Sequence, residues 1–118
     1  MGNNHWRVGK SERKVVLLIS KYTVSAGETF AQALLANPDR RIRVAGEETK
    51  GFYSDCLPCK IKENWYFGLS NERYWLVNGA ALEGTGVKPE VYIPVHYSDI
   101  QKGSDPVLEW VLKEYGGN

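Results

Sequence analysis

Histidine, cysteine and charge of one sign are all scarce in this chain of 118 residues, and each shortage excludes something. There are two histidines, His5 and His96, and two cysteines, Cys56 and Cys59. A closed zinc site needs four ligands, so the Cys-x-x-Cys spacing supplies half of one and leaves only two imidazoles to complete it. The same spacing occurs in redox motifs, but those open a helix after a strand, whereas Pro58 and the Lys60-Ile61-Lys62 run indicate an extended segment. Two thiols in a reducing compartment is the simpler reading, and no metal or other cofactor is implied. Fifteen basic residues against fourteen acidic ones give a formal charge of +1, so no global field points to nucleic acid or an anionic membrane. No apolar run approaches the length of a membrane span, and Met-Gly-Asn-Asn-His lacks the apolar core of a signal peptide. The chain as given is therefore expected in the cytoplasm, unless it is cut from a longer precursor. Its start at Met1 and its Gly-Gly-Asn ending favour a complete small gene product.

What is present is ordinary for one globular domain, with 42% hydrophobic and 25% charged residues. Residues 1–13 are polar and read as a flexible arm, leaving residues 14–118 as a single domain without repeats or linkers. Hydrophobic patterning predicts a buried strand over 14–20, a helix over 26–36 stopped by Asn37-Pro38, and a second strand over 41–45. Along that first helix Ala26, Phe30, Ala33 and Leu34 recur at helical spacing. Residues 46–55 read as a loop. Aromatic-rich extended segments follow at 65–69 and 73–77, the second leading into the tight-turn pair Asn78-Gly79. Residues 90–96 alternate as a strand with His96 on its polar side. A last helix is capped by Ser104 or Asp105, has Pro106 in its first turn, and carries Leu108, Val111, Leu112 and Tyr115 on one side. The pattern is α/β or α+β with a mixed sheet, one connecting helix, an aromatic hairpin and a C-terminal helix.

The most informative junction is Thr23-Val24-Ser25-Ala26-Gly27-Glu28, where the first strand turns into the helix. A hydroxyl at that point lies near the free N–H groups and the positive end of the helix dipole, which can stabilise a developing oxyanion. Ser25 and Glu28 also form a Ser-x-x-Glu capping box, which requires no chemistry.

Three motifs occur in order. Ser25-Ala26-Gly27-Glu28 follows the strand, Gly46-Glu47-Glu48-Thr49-Lys50-Gly51 lies some twenty residues on, and Glu83-Gly84-Thr85-Gly86-Val87-Lys88-Pro89-Glu90 comes near the end. With them, residues 15–115 resemble the C-terminal half of the catalytic domain of the C-terminal-processing (tail-specific) serine peptidases, relatives of the tricorn core. The resemblance implies part of a ClpP/crotonase-like fold and a peptide or protein substrate. It makes Ser25 the nucleophile, with its own N–H or that of Ala26 as an oxyanion donor. Thr23 and Gly27 would shape the substrate site, Phe52 and Tyr53 would belong to a lid beside it, and Glu83 would be a supporting carboxylate.

The general base does not follow. Where the tail-specific branch has a lysine directly after its Gly-x-Thr-x-Gly stretch, this chain has Phe52, and Lys50 stands one residue before Gly51. The tricorn-like branch takes a histidine from a region upstream of everything here, and nothing around His5 resembles it. A serine without a base is a poor nucleophile at neutral pH. The expectation is a truncated peptidase-like domain, weakly active or inactive alone. The alternative is a non-catalytic peptide-binding or oligomerisation module on the same fold. A partial fold leaves a sheet edge uncovered, which predicts a homo-oligomer or a partner chain. Trp65, Tyr66, Phe67, Tyr74 and Trp75 could line a groove for an extended peptide, or pack across adjacent strands.

Overall fold

The computed structural model describes residues 14–37, 41–76 and 78–116. The arm at residues 1–13, with His5, and the helix stop at Pro38 lie outside the described residues. The five apolar residues of strand β1 (Val15–Ile19) lead through a turn into helix α1 (Ala26–Leu35) and back to strand β2 (Ile42–Gly46). This strand–helix–strand unit makes β1 and β2 parallel, with Leu17 opposite Val44 and Ile19 opposite Gly46. Strand β3 (Cys56–Lys62) and strand β4 (Trp65–Ser70) form a separate antiparallel ribbon, followed by the short strand β5 (Val91–Tyr92) and helices α2 (Tyr97–Lys102) and α3 (Pro106–Tyr115). The parallel sheet has the order β1-β2-β5, so the outer edge of β1 carries no strand among the described residues.

The core is small. Ile19, Ala31, Val44 and Val87 are buried together, with Leu17 and Leu35 packed beside them. Helix α1 is rotated relative to the apolar spacing in its sequence. Phe30 is exposed and Ala26 and Ala33 face outward, while Glu28 and Ala31 point in. The rotation is possible because the Glu28 carboxylate finds enough donors inside. Helix α3 is capped as its sequence predicts, Asp105 accepting hydrogen bonds from Val107 and Leu108 N–H at 3.1 and 3.0 Å. Its inward residue is nevertheless Val107, and Leu108 and Leu112 are exposed.

Three segments differ from expectation. The final strand shortens to Val91–Tyr92 because the chain leaves the sheet ahead of Pro94, whose missing N–H cannot extend a ladder. His96 is the N-cap of α2 rather than a strand residue, its N–H donating to Asp99 Oδ2 at 2.8 Å. The hairpin partner of the aromatic strand β4 is β3, not residues 73–77. Around Asn78-Gly79 the chain makes only a tight turn closed by an isolated bridge between Trp75 and Ala81.

Candidate active site

Ser25 is the one non-glycine residue with positive φ among the described residues, at φ 54 and ψ −119. Such a backbone is costly for a residue with a Cβ, at about 1–3 kcal/mol, and persists only where its surroundings enforce it. The enforcement is visible. The Ser25 N–H donates to Phe52 O at 2.9 Å and to Glu28 Oε2 at 3.2 Å, and Lys50 N–H donates to Thr23 O at 3.0 Å. The loop after β2 and the first turn of α1 therefore hold the turn between them.

A helix cap does not account for this conformation. A serine cap has extended φ and ψ, which aim its oxygen at the N–H of the third helical residue. The serine and glutamate do stand at box distance, and Glu28 closes back on the Ser25 N–H. The Glu28 N–H, however, bonds the Ser25 main-chain carbonyl at 2.8 Å, and the Ser25 side chain makes no cap hydrogen bond. A sharp, strained strand-to-helix turn is the arrangement that exposes a nucleophilic hydroxyl. The Ser25 N–H is already committed, which removes it as an oxyanion donor. The Ala26 N–H has no acceptor among the described residues and is free to serve.

The residue that organises the site is Glu28, fully buried at the first turn of α1. Its Oε1 accepts the Thr49 hydroxyl at 2.5 Å and the Gly51 N–H at 2.6 Å, and its Oε2 accepts the Phe52 N–H at 2.9 Å besides that of Ser25. Four donors compensate the burial of a carboxylate that would otherwise be prohibitively costly. The Thr49 hydroxyl passes the network on by accepting the Val87 N–H at 2.7 Å, and Thr49 N–H donates to Val87 O at 3.1 Å. All three sequence motifs thus meet under the Ser25 turn.

Glycine makes that meeting possible at two positions. A Cβ on Gly86 would collide with the Thr49 carbonyl, and Gly51, at φ 77, lies against the backbone of residues 84–86. The loops pack main chain on main chain, and Gly84 N–H donates to Gly51 O at 2.8 Å.

The other expected site residues are dispersed around this centre. Glu83 is exposed, and its Oε2 accepts the Tyr53 and Ser54 N–H groups at 3.1 and 3.0 Å. It fastens the segment after Phe52 and makes no recorded bond to Ser25. Gly27 sits against Thr23, whose Cγ2 would be 3.1 Å from an added Cβ, so the turn favours a small residue there. Phe52 is exposed beside Ser25, with the Lys50 ammonium 5.6 Å from its ring. Tyr53 is 1% exposed and belongs to the core, packed at 6.5 Å from the Tyr74 ring, so its side chain cannot form part of an open lid. Burial pushes its phenol above the ordinary value of 10.0.

No nitrogen among the described residues hydrogen-bonds the Ser25 hydroxyl. The Lys21 ammonium is engaged by Glu47 Oε1 at 3.3 Å and Val95 O at 3.4 Å. Cys56 and Cys59 lie three apart along β3, hence on opposite faces and about 10 Å apart, beyond the reach of a disulfide or a shared metal. Beside the serine turn, at the carboxyl ends of the parallel strands, opens a cavity of about 510 Å³ lined by Leu18, Tyr22, Thr23, Glu47, Ile100 and Val107 among others. Open parallel sheets bind ligands at this end.

The family model of peptidase family S41 matches residues 3–93. The chain belongs to peptidase family S41. This S41 chain is 27% identical over 99 residues to a carboxy-terminal-processing protease of Bartonella bacilliformis, covering 82% of this chain and 22% of that protein. Its fold is similar to that of mature CPAF complexed with lactacystin, with TM-score 0.71 and 23% identity over 93% of this chain and 21% of the other. It is similar also to the tricorn protease, with TM-score 0.68 and 20% identity over 86% and 10% of the two chains. The chain spans about a fifth of the length of the curated relative it matches, and the mixed α/β architecture is that of a partial S41 domain.

Glu28 and Thr49 were present in the sequence motifs but pass there for a capping residue and a loop residue. Their role is carried by four convergent donors, and no spacing rule shows that convergence.

Proposed function

We propose that this S41 chain is the nucleophile-bearing part of a serine peptidase acting on peptide or protein substrates. Ser25 is the nucleophile, Ala26 N–H an oxyanion donor, and Glu83 a carboxylate that holds the Phe52–Ser54 segment beside the site. The base is supplied by a polypeptide segment other than this chain, so the chain alone is weakly active or inactive. The observation that carries this reading is the strained backbone of Ser25, held open by Glu28 and Phe52 although a relaxed cap would be more stable. The apolar cavity that begins at Thr23 is suited to a substrate side chain.

A fluorophosphonate probe tests the assignment. Slow labelling of the wild-type chain, absent in Ser25→Ala, is the expected result. Labelling that persists in Ser25→Ala would sink it.

A second reading is favoured by the β1 edge, which carries no strand among the described residues, and by the exposed β3–β4 ribbon. On it the chain is a non-catalytic module that binds a peptide or assembles with other chains, and Ser25→Ala changes no activity.

A further inference from the structure

The tight turn at Asn78-Gly79 takes no part in the site around Ser25, yet its geometry is that of a reactive asparagine. Asn78 is the one asparagine of the sequence followed by glycine. Asn64 precedes Trp65 and Asn71 precedes Glu72, whose side chains crowd the peptide nitrogen, and Pro38 after Asn37 has no N–H at all. Gly79 stands at φ 82 with nothing within 4 Å of the position a Cβ would take, so its nitrogen is open on that side. The Asn78 carboxamide is folded back over the Gly79 peptide, because its Oδ1 accepts the Ala80 N–H at 3.1 Å. This Asx-type turn holds the carboxamide against the main chain that follows it, and the bond to Ala80 polarises its carbonyl.

We propose that Asn78 is a site of spontaneous deamidation, and that isoaspartate formed there loosens the hold of Glu83 on the segment after Phe52. The Gly79 nitrogen, having given its proton to hydroxide, bonds to Asn78 Cγ. The Ala80 N–H stabilises the oxyanion that develops on Oδ1. The carboxamide C–N bond then breaks, and its nitrogen leaves as ammonia after taking a proton from water, which regenerates the hydroxide. One water molecule opens the resulting five-membered imide at either carbonyl, giving aspartate or isoaspartate. The bond that opposes attack runs from Gly79 N–H to Leu76 O at 2.8 Å. It lies in an exposed turn, where local opening is least costly. Isoaspartate adds a methylene to the main chain inside a turn closed by Leu76 N–H on Ala80 O at 2.8 Å and by the Trp75–Ala81 bridge. The chain leaving that turn runs at once into Leu82, which is buried with its N–H on Tyr74 O at 3.0 Å. Glu83 follows, with its carboxylate on the Tyr53 and Ser54 N–H groups. A change of register at the turn is thus passed directly to Glu83.

Prolonged incubation of the full chain at mildly alkaline pH, followed by peptide mass mapping, tests this. The expected result is that the peptide containing Asn78 gains one mass unit, chiefly as isoaspartate methylated by an isoaspartyl methyltransferase. The peptides containing the exposed Asn64 and Asn71 should stay unchanged. Asn78→Gln, whose longer side chain would have to close a six-membered ring, should remain unmodified and keep the circular dichroism of the wild type. Amide hydrogen exchange at Tyr53 and Ser54 should be faster in the aged chain by about tenfold, as befits a weakened hydrogen bond to a charged group. An Asn78 peptide that gains no mass, or gains it only in urea, would overturn the site. Modification with unchanged exchange at Tyr53 and Ser54 would overturn its link to Glu83. Neither measurement depends on the reactivity of Ser25.

Discussion

Glu28 Oε1 and the Thr49 hydroxyl meet at 2.5 Å, and this contact ties the first turn of α1 to the loop that follows β2. The same carboxylate holds Gly51, Phe52 and Ser25, so one side chain sets the position of three segments. Glu28→Gln keeps the shape but removes the charge and presents an NH₂ group to donors. It is expected to destabilise the fold by about 2–3 kcal/mol, in the range for hydrogen bonds to a charged group. Urea unfolding checks it, and a loss below about 0.5 kcal/mol would show that the network is not what secures the turn.

Strain at Ser25 has a sign that substitution can read. Ser25→Gly removes the Cβ that makes φ 54 costly and releases about 1–3 kcal/mol. Against that stands the added freedom of glycine in the unfolded chain, about 0.5–1 kcal/mol. The variant is expected to be more stable than wild type by about 1 kcal/mol. Ser25→Ala keeps the strain and loses no cap bond, so it should be nearly neutral. Thermal unfolding of the pair would contradict the strain if Ser25→Gly melted at or below the temperature of Ser25→Ala.

Tyr53 links the site to pH. Its phenol is raised above 10.0 by burial, with the Glu28 and Glu83 carboxylates adding to the shift. Its hydroxyl faces Gln32 and Thr49, contacts that favour ionisation, but neither reaches the geometry of a hydrogen bond. The folded chain therefore keeps the proton at pH values where the unfolded chain has lost it. The contribution to stability is complete below pH 10 and is lost as pH rises from there through the folded value. Alkaline denaturation should be steeper in wild type than in Tyr53→Phe, and identical curves would show that Tyr53 does not titrate in this way.

Much of the chain is legible as one-dimensional pattern. The run Val15–Ile19 reads as a strand and Asp105-Pro106 as a helix start, because both signals act within one turn or one strand; burial did not follow, since Val15 and Leu18 are exposed and only Ile19 of that strand is buried. The order of the three motifs located the serine for the same reason. Patterning failed where a distant segment set the outcome. Phe30 appears inward by spacing and is outward in fact, because α1 turns to bury Glu28 against Thr49, Gly51 and Phe52. Tyr53 sits in what reads as an open loop yet lies in the core beside Tyr74. The partner of β4 was hidden because strand pairing is a choice among segments, and residues 73–77, with Tyr74 and Trp75, match β4 in aromatic content better than β3, which has none.

By itself, then, the order of residues determined the local elements, the strand-to-helix position of Ser25, and the lack of a lysine where Phe52 stands. The tertiary structure alone decided that Ser25 is a strained turn and not a relaxed cap, since its φ is imposed by bonds to residues three and twenty-seven positions away. Backbone conformation at such a site is a sum over contacts, and contacts of that sequence separation exist only once the chain has closed on itself.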